Sequence, residues 1–147
     1  MPIKEYVVFK LDNEYYGIDI HNVETIEKVM PMTRVPYTKD FVKGVINLRG
    51  NVVPVIDLRK RFDLSMKEYD ENSRIIIVKL DEITVGMTVD SSSEVIQLSE
   101  KDIEEAPSLK GTSEENFVKC IGKKDKRIIM IIDLYKILDI NDMEKEL

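Results

Sequence analysis

Few residues of this chain have side chains suited to nucleophilic or metal chemistry. Its 147 residues include one histidine, His21, and one cysteine, Cys120. A metal site needs three or four ligands, and a nucleophilic cysteine needs a base beside it. We therefore expect His21 to be a structural or surface residue and Cys120 to be an inert, buried thiol. The sequence predicts no catalytic residue, no metal site and no cofactor.

Two aspartates are placed alike, and a pair of carboxylates can act as general acid and base. Asp57 and Asp133 each stand in an Ile-Asp-Leu motif, after an apolar run and before a short helix-like run. An aspartate at that place caps the N-terminus of the helix. The chain also lacks a glycine-rich phosphate-binding loop. These patterns argue against an enzyme.

The segment VKGVINLRGNVVPVIDLRKRF, residues 42–62, has two strand-like runs that flank Arg49 and Gly50. An arginine at a tight turn is either solvated, paired with a nearby acid, or a contact residue for another protein, since arginine is enriched in interfaces. The basic run at the end of the segment, Arg59 to Arg61, is typical of a solvated face.

The elements that must position these residues form an internal repeat. YVVFKLDNEYYGIDI from Tyr6 aligns without a gap on IIIVKLDEITVGMTV from Ile75, an offset of 69 residues. VVPVIDLRKRFD from Val52 aligns on IIMIIDLYKILD from Ile128, an offset of 76. Each half is thus a hairpin, a variable middle, and a strand that leads into a short helix. A repeat of this kind predicts two copies of one supersecondary unit.

The short, sharply turned strands predict an all-β fold of two similar five-stranded β-barrels packed around a shared core, with short helices and a C-terminal helix. Residues 1–147 form one domain. Its barrel halves are approximately 1–66 and 67–147, with terminal strands or the helix allowed to cross between them. The acidic segment from Ser99 to Asn116 is predicted to be a long exposed loop.

The charge, the cysteine count and the lengths of the apolar runs argue against several classes of function. The net charge of −6 argues against binding to nucleic acid or to anionic membranes, which requires clustered positive charge. A single cysteine fits a reducing compartment. The chain has no signal-peptide pattern and no run long enough to insert in a membrane, so we expect a cytoplasmic protein.

At this point a family resemblance adds to the patterns. YGIDIHNVETI and TRVPYTKDFVKGVINLRGNVVPVIDLRKRF, followed in order by VGMTVDSSSEVIQL and MIIDLYKIL, resemble the CheW family of chemotaxis adaptor proteins. The resemblance covers residues 5–138 and implies two five-stranded barrels around a shared apolar core. It also implies a scaffold that couples the cytoplasmic tips of methyl-accepting chemoreceptors to the regulatory domain of the histidine kinase CheA. Such a protein is cytoplasmic and is recruited to receptor arrays at the membrane.

The resemblance also implies functional residues. The kinase-contact region falls on Val23, Thr25, Ile26 and Gly44, and receptor or kinase coupling falls on Arg49. The receptor groove falls on Ile75, Gly86, Val89 and Val95. Thr25 stands where relatives often carry an acid, and Ser91 stands where they carry glycine.

Other interpretations remain open beside these. Apolar strand residues are mostly core residues, and Gly17 and Gly86 hold equivalent places where a bulge or close packing would also require glycine. The alternative function is a small β-barrel enzyme or ligand-binding protein that uses its surface carboxylates and its acidic loop.

Overall fold

The chain folds almost entirely into strands. The structure is a computed structural model that describes residues 2–36, 38–105 and 117–138. The strands are β1 Ile3–Leu11, β2 Glu14–Asp19, β3 Val23–Lys28, β4 Val42–Leu48, β5 Asn51–Asp57, β6 Arg74–Leu80, β7 Ile83–Val89, β8 Ser91–Ser99, β9 Ile103–Glu105, β10 Val118–Lys124 and β11 Arg127–Ile132. The helices are α1 Leu58–Arg61 and α2 Leu134–Leu138, and 3-10 turns lie at Ile20–Asn22 and Glu100–Asp102.

The strands form two sheets, and the predicted all-β fold is confirmed. One sheet has six strands in the order β8-β1-β2-β11-β10-β9, and the other has five in the order β3-β6-β7-β5-β4. Within the described residues, backbone pairing does not close either sheet into a ring. Side chains bridge the openings instead. Arg49, in the turn after β4, contacts Glu27 on β3, and Lys124 on β10, the strand next to the end strand β9, donates to the carbonyl of Gln97 on β8.

The sixth strand, β9, is a small difference between otherwise similar sheets. It pairs with β10 through three residues. In the other sheet a single bridge between Thr33 and Val45 takes the corresponding place beside β4. The prediction of a long loop is therefore wrong for residues 99–105, because Ser99 ends β8 and residues 100–105 form a 3-10 turn and β9. The rest of that loop, 106–116, lies outside the described residues.

Neither sheet consists of one contiguous half of the chain. The first hairpin, β1–β2, joins the six-stranded sheet through parallel pairing of β2 with β11, where Gly17 faces Ile131. The hairpin β6–β7 joins the five-stranded sheet through parallel pairing of β7 with β5, where Gly86 faces Val55. Gly17 and Gly86 are 69 residues apart, and Val55 and Ile131 are 76 apart. Each half of the chain therefore contributes its hairpin to the sheet that contains the other strands of the opposite half.

Three apolar clusters hold the sheets, and the strands alternate between them. The six-stranded sheet encloses a cluster that includes Tyr6, Val8 and Ile129, and the five-stranded sheet encloses one that includes Ile75 and Ile77. The intervening residues of the same strands face a third, larger cluster between the sheets, with members Val7, Phe9, Leu11, Ile76, Val78 and Leu80. This alternation is the period-two pattern of strands with both faces buried.

The prediction that the basic run of α1, Arg59 to Arg61, is a solvated face is wrong for two of its three residues. Only 8% of Arg59 is exposed, and its Nη1 lies 2.8 Å from Asp12 Oδ1 and 2.7 Å from Asp90 Oδ2. Burial alone would lower the pKa of Arg59, but these two carboxylates raise it. Arg61 is also engaged, because its guanidinium stacks on Phe41. Of the three residues only Lys60 is exposed.

Candidate functional site

The turn that carries Arg49 joins β4 to β5. Arg49 and Gly50 both have positive φ, 52° and 87°, as the centre of a type I′ hairpin turn requires. Asn47 Oδ1 accepts a hydrogen bond from the backbone N–H of Gly50 at 3.0 Å. The turn directs the Arg49 side chain outward, where 69% of it is exposed.

Arg49 nonetheless has a partner in its own chain. Its Nη2 lies 3.3 Å from Glu27 Oε1 on β3, and Thr25 Oγ1 lies 3.4 Å from the same oxygen. Two of the predicted contact residues, Thr25 and Arg49, therefore meet at one carboxylate. The sequence analysis missed Glu27, because the ion pair spans 22 residues.

Strand β3 is an edge strand with a mixed surface. Val23 is half-buried against the large core, Thr25 is half-buried, and 41% of Ile26 is exposed. The pairing with β6 is irregular between Val23 and Thr25, so β3 has a β-bulge there. Bulges protect an edge from indiscriminate pairing, and on this edge the side chain of Ile26 remains exposed.

Gly44 lies at a second bulge, in β4. The pairing of β4 with β5 shifts between Val42 and Gly44. A Cβ added at Gly44 would lie 2.5 Å from the carbonyl oxygen of Thr33, so the residue is needed for close backbone packing. This geometry supports a structural role for Gly44 in holding the loop before β4.

The second half of the chain carries an equivalent edge on β8. Val95 is 69 residues after Ile26 and is 49% exposed. It pairs with Val7 as Ile26 pairs with Ile76, and β8 is bulged at the place equivalent to the bulge of β3. Both exposed aliphatic residues therefore lie on the sheet face that forms the large core, at the margin of that core.

An ion pair also marks the second edge. Arg127 binds Glu94 with both terminal nitrogens, and its guanidinium lies 4.9 Å from the ring centroid of Tyr15. The hydrogen bonds that Arg127 donates to the Glu94 carboxylate raise the pKa of Arg127. Ile128, next to Arg127, is 59% exposed, and its equivalent Val52 is 71% exposed. The repeat aligned Val52 with Ile128, but the sequence did not indicate that both side chains are exposed.

Three of the predicted receptor-groove residues are buried. Ile75 has no exposed surface, and 2% of Val89 is exposed. A Cβ at Gly86 would lie 2.8 Å from Ile75 Cγ2. These residues shape the sheets from within, whereas Val95 is the predicted groove residue whose side chain reaches the surface.

The residues that suggested chemistry have structural environments. Asp57 Oδ1 accepts from the backbone N–H of Lys60 at 3.2 Å, and Asp133 Oδ1 accepts from that of Lys136 at 3.3 Å, so the predicted pair of helix caps is confirmed. Burial raises the pKa of the Cys120 thiol more than the neighbouring lysines lower it.

His21 is exposed and directs Nδ1 to Asp19 Oδ1 at 3.0 Å. Within 2–36, 38–105 and 117–138, no three His, Cys, Asp or Glu residues are grouped to hold a metal ion. The helices in the same ranges are too short to span a membrane.

A family model, curated relatives and a solved structure all point to the same family. The CheW-like domain matches residues 5–141. A chemotaxis protein CheW from Klebsiella aerogenes is 38% identical over 140 residues, which cover 95% of this chain and 84% of that protein. Its counterpart from Bacillus subtilis is 40% identical over 136 residues, covering 92% and 87%. The crystal structure of the scaffolding protein TtCheW from Thermoanaerobacter tengcongensis is 41% identical and superposes with a TM-score of 0.86, covering 96% of this chain and 95% of that one.

Proposed function

The chain belongs to the CheW-like domain family, and from that premise we propose that it couples transmembrane chemoreceptors to the histidine kinase CheA. The family makes it a chemotaxis scaffold protein and not an enzyme. The alternative of an enzyme that uses surface carboxylates is therefore not retained. The finer statement, that this chain binds both a receptor and the kinase, is the proposal.

The observation that carries the proposal is the presence of two equivalent bulged edges on one small protein. Each edge has an exposed aliphatic residue, Ile26 or Val95, beside an arginine–glutamate pair. Interfaces typically combine an apolar anchor with surrounding polar groups, and arginine is frequent among their strongest contributors. Two such surfaces allow a single chain to bind two partners at once, which is what a scaffold requires.

We assign the edge of β3 to the regulatory domain of the kinase. Ile26 supplies the exposed apolar contact, and Thr25 and Arg49 supply polar groups around Glu27. Val23 and Gly44 act from beneath, by fixing the strand and the loop beside it. The edge of β8, with Val95, is assigned to the helical tip of a receptor. The other predicted groove residues, Ile75, Gly86 and Val89, lie on β6 and β7 of the five-stranded sheet and would act on the groove only through the packing of that sheet.

The proposed mechanism changes no covalent bond. A scaffold transmits the state of a receptor only if it binds the arrays of the two states with different affinity. Binding costs the ordering of side chains and loops, and a few buried anchors offset that cost. Through these contacts the chain would be recruited to receptor arrays at the membrane.

The first experiment is titration calorimetry of this chain with the regulatory domain of the CheA from the same genome. We expect saturable one-to-one binding that Ile26→Asp weakens by about tenfold or more, as for loss of an interface anchor. Met66→Asp is the matched control, because Met66 is 82% exposed and lies on neither edge. Equal weakening by both substitutions, or no binding by the native chain, would contradict the assignment.

The second experiment titrates the chain with a soluble fragment of a receptor tip. We expect Val95→Asp to weaken receptor binding and to leave the kinase titration unchanged, with Ile26→Asp giving the reverse. If one substitution abolished both interactions while circular dichroism showed a native fold, the two-edge assignment would be wrong.

A further inference from the structure

Two grooves occupy equivalent places in the two halves of the chain. The first groove is lined by Lys43, Asp57 and Thr88. The second groove is lined by Lys119, Asp133 and Asp19. Lys119 and Asp133 follow Lys43 and Asp57 by 76 residues, and Thr88 follows Asp19 by 69. The repeat therefore builds the same kind of groove twice, at the same junction between a β-bulge and a helix cap.

The first groove is occupied by the chain itself. Tyr69, on the connection between α1 and β6, lies in it with its hydroxyl near Thr88 and with Lys43 Nζ 5.4 Å from its ring centroid. Burial raises the pKa of Tyr69. Arg59 fastens the same connection by donating from Nε to the carbonyl of Ser65 at 2.8 Å. Only about 30 Å³ of free volume remains in this groove.

The second groove has no such occupant among the described residues. A cavity of about 160 Å³ lies there, bordered by Leu80, Leu134 and the half-exposed Tyr135. Cavities of about 150 Å³ are large enough to take a benzene ring. The free volume of the second groove is therefore enough for an aromatic ring such as that of Tyr69, which is 40% exposed in the first groove.

The polar groups of the second groove are suited to an aromatic side chain with a hydrogen-bond donor. Asp19 replaces Thr88 as the acceptor. Partial burial opposes ionisation of Asp19, but hydrogen bonds from His21 outweigh it and lower the pKa of the carboxyl group. Asp19 is thus ionised at neutral pH and accepts more strongly than a hydroxyl. Lys119 stands where Lys43 faces the ring of Tyr69, so a cation–π contact is available.

We propose that the second groove binds a tyrosine side chain presented by a loop of a partner protein, in the way that the first groove binds Tyr69. The occupant is assigned to another chain, because the undescribed segments 106–116 and 139–147 contain no aromatic residue. The remaining undescribed aromatic residue, Tyr37, is flanked by Pro36 and Thr38, which line a surface with Lys43 and Asp57 beside the first groove and not the second. The segment is a loop because the residues around Tyr69 form neither helix nor strand and a turn at Asp70–Ser73 follows. This inference concerns a surface apart from the two edges and does not rest on the adaptor proposal.

The test is a ¹⁵N–¹H NMR titration of the full chain with N-acetyl-tyrosinamide, which is neutral and carries the tyrosine side chain. We expect saturable shifts of the backbone signals of Asn22, Lys119 and Asp133, with a dissociation constant of roughly a millimolar for so small a ligand. N-acetyl-phenylalaninamide, which lacks the hydroxyl, should bind roughly tenfold more weakly, the effect of one charge-assisted hydrogen bond.

Variants locate the binding and keep the test decisive. Lys119→Ala and Asp19→Ala are expected to weaken it, Asp19→Thr to restore part of it by recreating the first groove, and Lys101→Ala to leave it unchanged. Tyr69→Ala empties the first groove and should create a second binding event there. If that variant bound the probe at the first groove while the second groove gave no saturable shift, the proposal would be overturned. Shifts spread over the whole surface, or unaffected by Lys119→Ala, would also overturn it.

Discussion

Arg61 donates from Nε to the carbonyl oxygen of Ile137 at 2.8 Å, although the two residues hold the same place in the two halves of the chain. The guanidinium lies between the rings of Phe41 and Phe117, at 4.3 and 4.7 Å from their centroids, and these phenylalanines are also equivalent. The two halves therefore meet around one arginine that only the first half possesses. This contact closes the C-terminal end of α2 and adds a polar link to the apolar core between the sheets.

Replacing Arg61 with leucine is expected to lower the free energy of unfolding by about 2–3 kcal/mol. Leucine keeps much of the packing volume but loses the hydrogen bonds to α2 and the stacking on both rings. Urea denaturation followed by circular dichroism measures the difference. Lys60→Leu, at the exposed neighbour, should change stability by no more than about 0.5 kcal/mol. Equal effects of the two substitutions would mean that the contacts of Arg61 contribute nothing.

Reversing the charge of Arg49 is expected to affect assembly much more than folding. Its pair with Glu27 is largely exposed on the arginine side, and such pairs contribute about 0–1 kcal/mol. Arg49→Glu places two carboxylates together but keeps the turn, so we expect a small change in Tm and a clear loss of the ternary complex with kinase and receptor. Size-exclusion chromatography and thermal denaturation measure the two effects. Arg49→Lys, which keeps the charge, is the control, and a large fall in Tm for Arg49→Glu would assign the residue to stability instead.

The internal repeat made much of the fold predictable. It indicated two similar β units, and the Ile-Asp-Leu motifs indicated both helix caps. It could not indicate that the hairpins are exchanged, because pairing β7 with β5 or with a strand of its own half satisfies the same alternation of apolar residues. Gly17 and Gly86 pack against Ile131 and Val55 of the exchanged strands, but these two partners are equivalent β-branched residues, so the sequence does not distinguish the two pairings.

Long-range contacts explain what the sequence analysis missed in the candidate site. Arg59 and Arg61 belong to a run of charges that locally resembles a solvated face, but their partners lie 31 and 76 residues away along the chain. The predicted groove residues also differ in burial, which the sequence pattern does not indicate. Val95 and Ile75 are both aliphatic strand residues, and only their distance from the sheet edge makes one exposed and the other buried.

Gly44→Ala tests whether this predicted contact residue is structural. The added Cβ would lie 2.5 Å from the backbone oxygen of Thr33, and a backbone atom cannot move aside as a side chain can. We expect a loss of about 2 kcal/mol or more in the free energy of unfolding. In Gly50→Ala the Cβ has nothing within 4 Å, so only the positive φ opposes it, at about 1 kcal/mol. Denaturation of both variants gives the comparison, and a Gly44→Ala protein of native stability that no longer binds the kinase would assign Gly44 to the interface itself.

Stability is expected to fall in acid because several carboxylates accept backbone hydrogen bonds. The bond from the N–H of Asn72, at 2.8 Å, lowers the pKa of Asp70, and the bond from that of Ser99, at 2.9 Å, lowers the pKa of Asp102. A group whose pKa is lowered by folding stabilises the native state above its unfolded pKa and loses that contribution as pH falls through the folded value. The loss should therefore begin near the ordinary aspartate value of 3.8 and continue below it. Stability should not change for this reason between pH 5 and pH 7, about one unit or more above that value.

Asp70→Asn isolates one of these groups, because an amide oxygen still accepts the turn hydrogen bonds but does not titrate in this range. We expect the urea midpoint of this variant to fall less steeply than that of the native chain when pH is lowered from 5 to 2.5 at constant ionic strength. Glu71→Gln, at the exposed neighbouring position, removes the same charge without the bonds from Asn72 and is the control. A native slope in Asp70→Asn, or an equally reduced slope in Glu71→Gln, would show that net charge and not the turn hydrogen bonds governs the acid sensitivity.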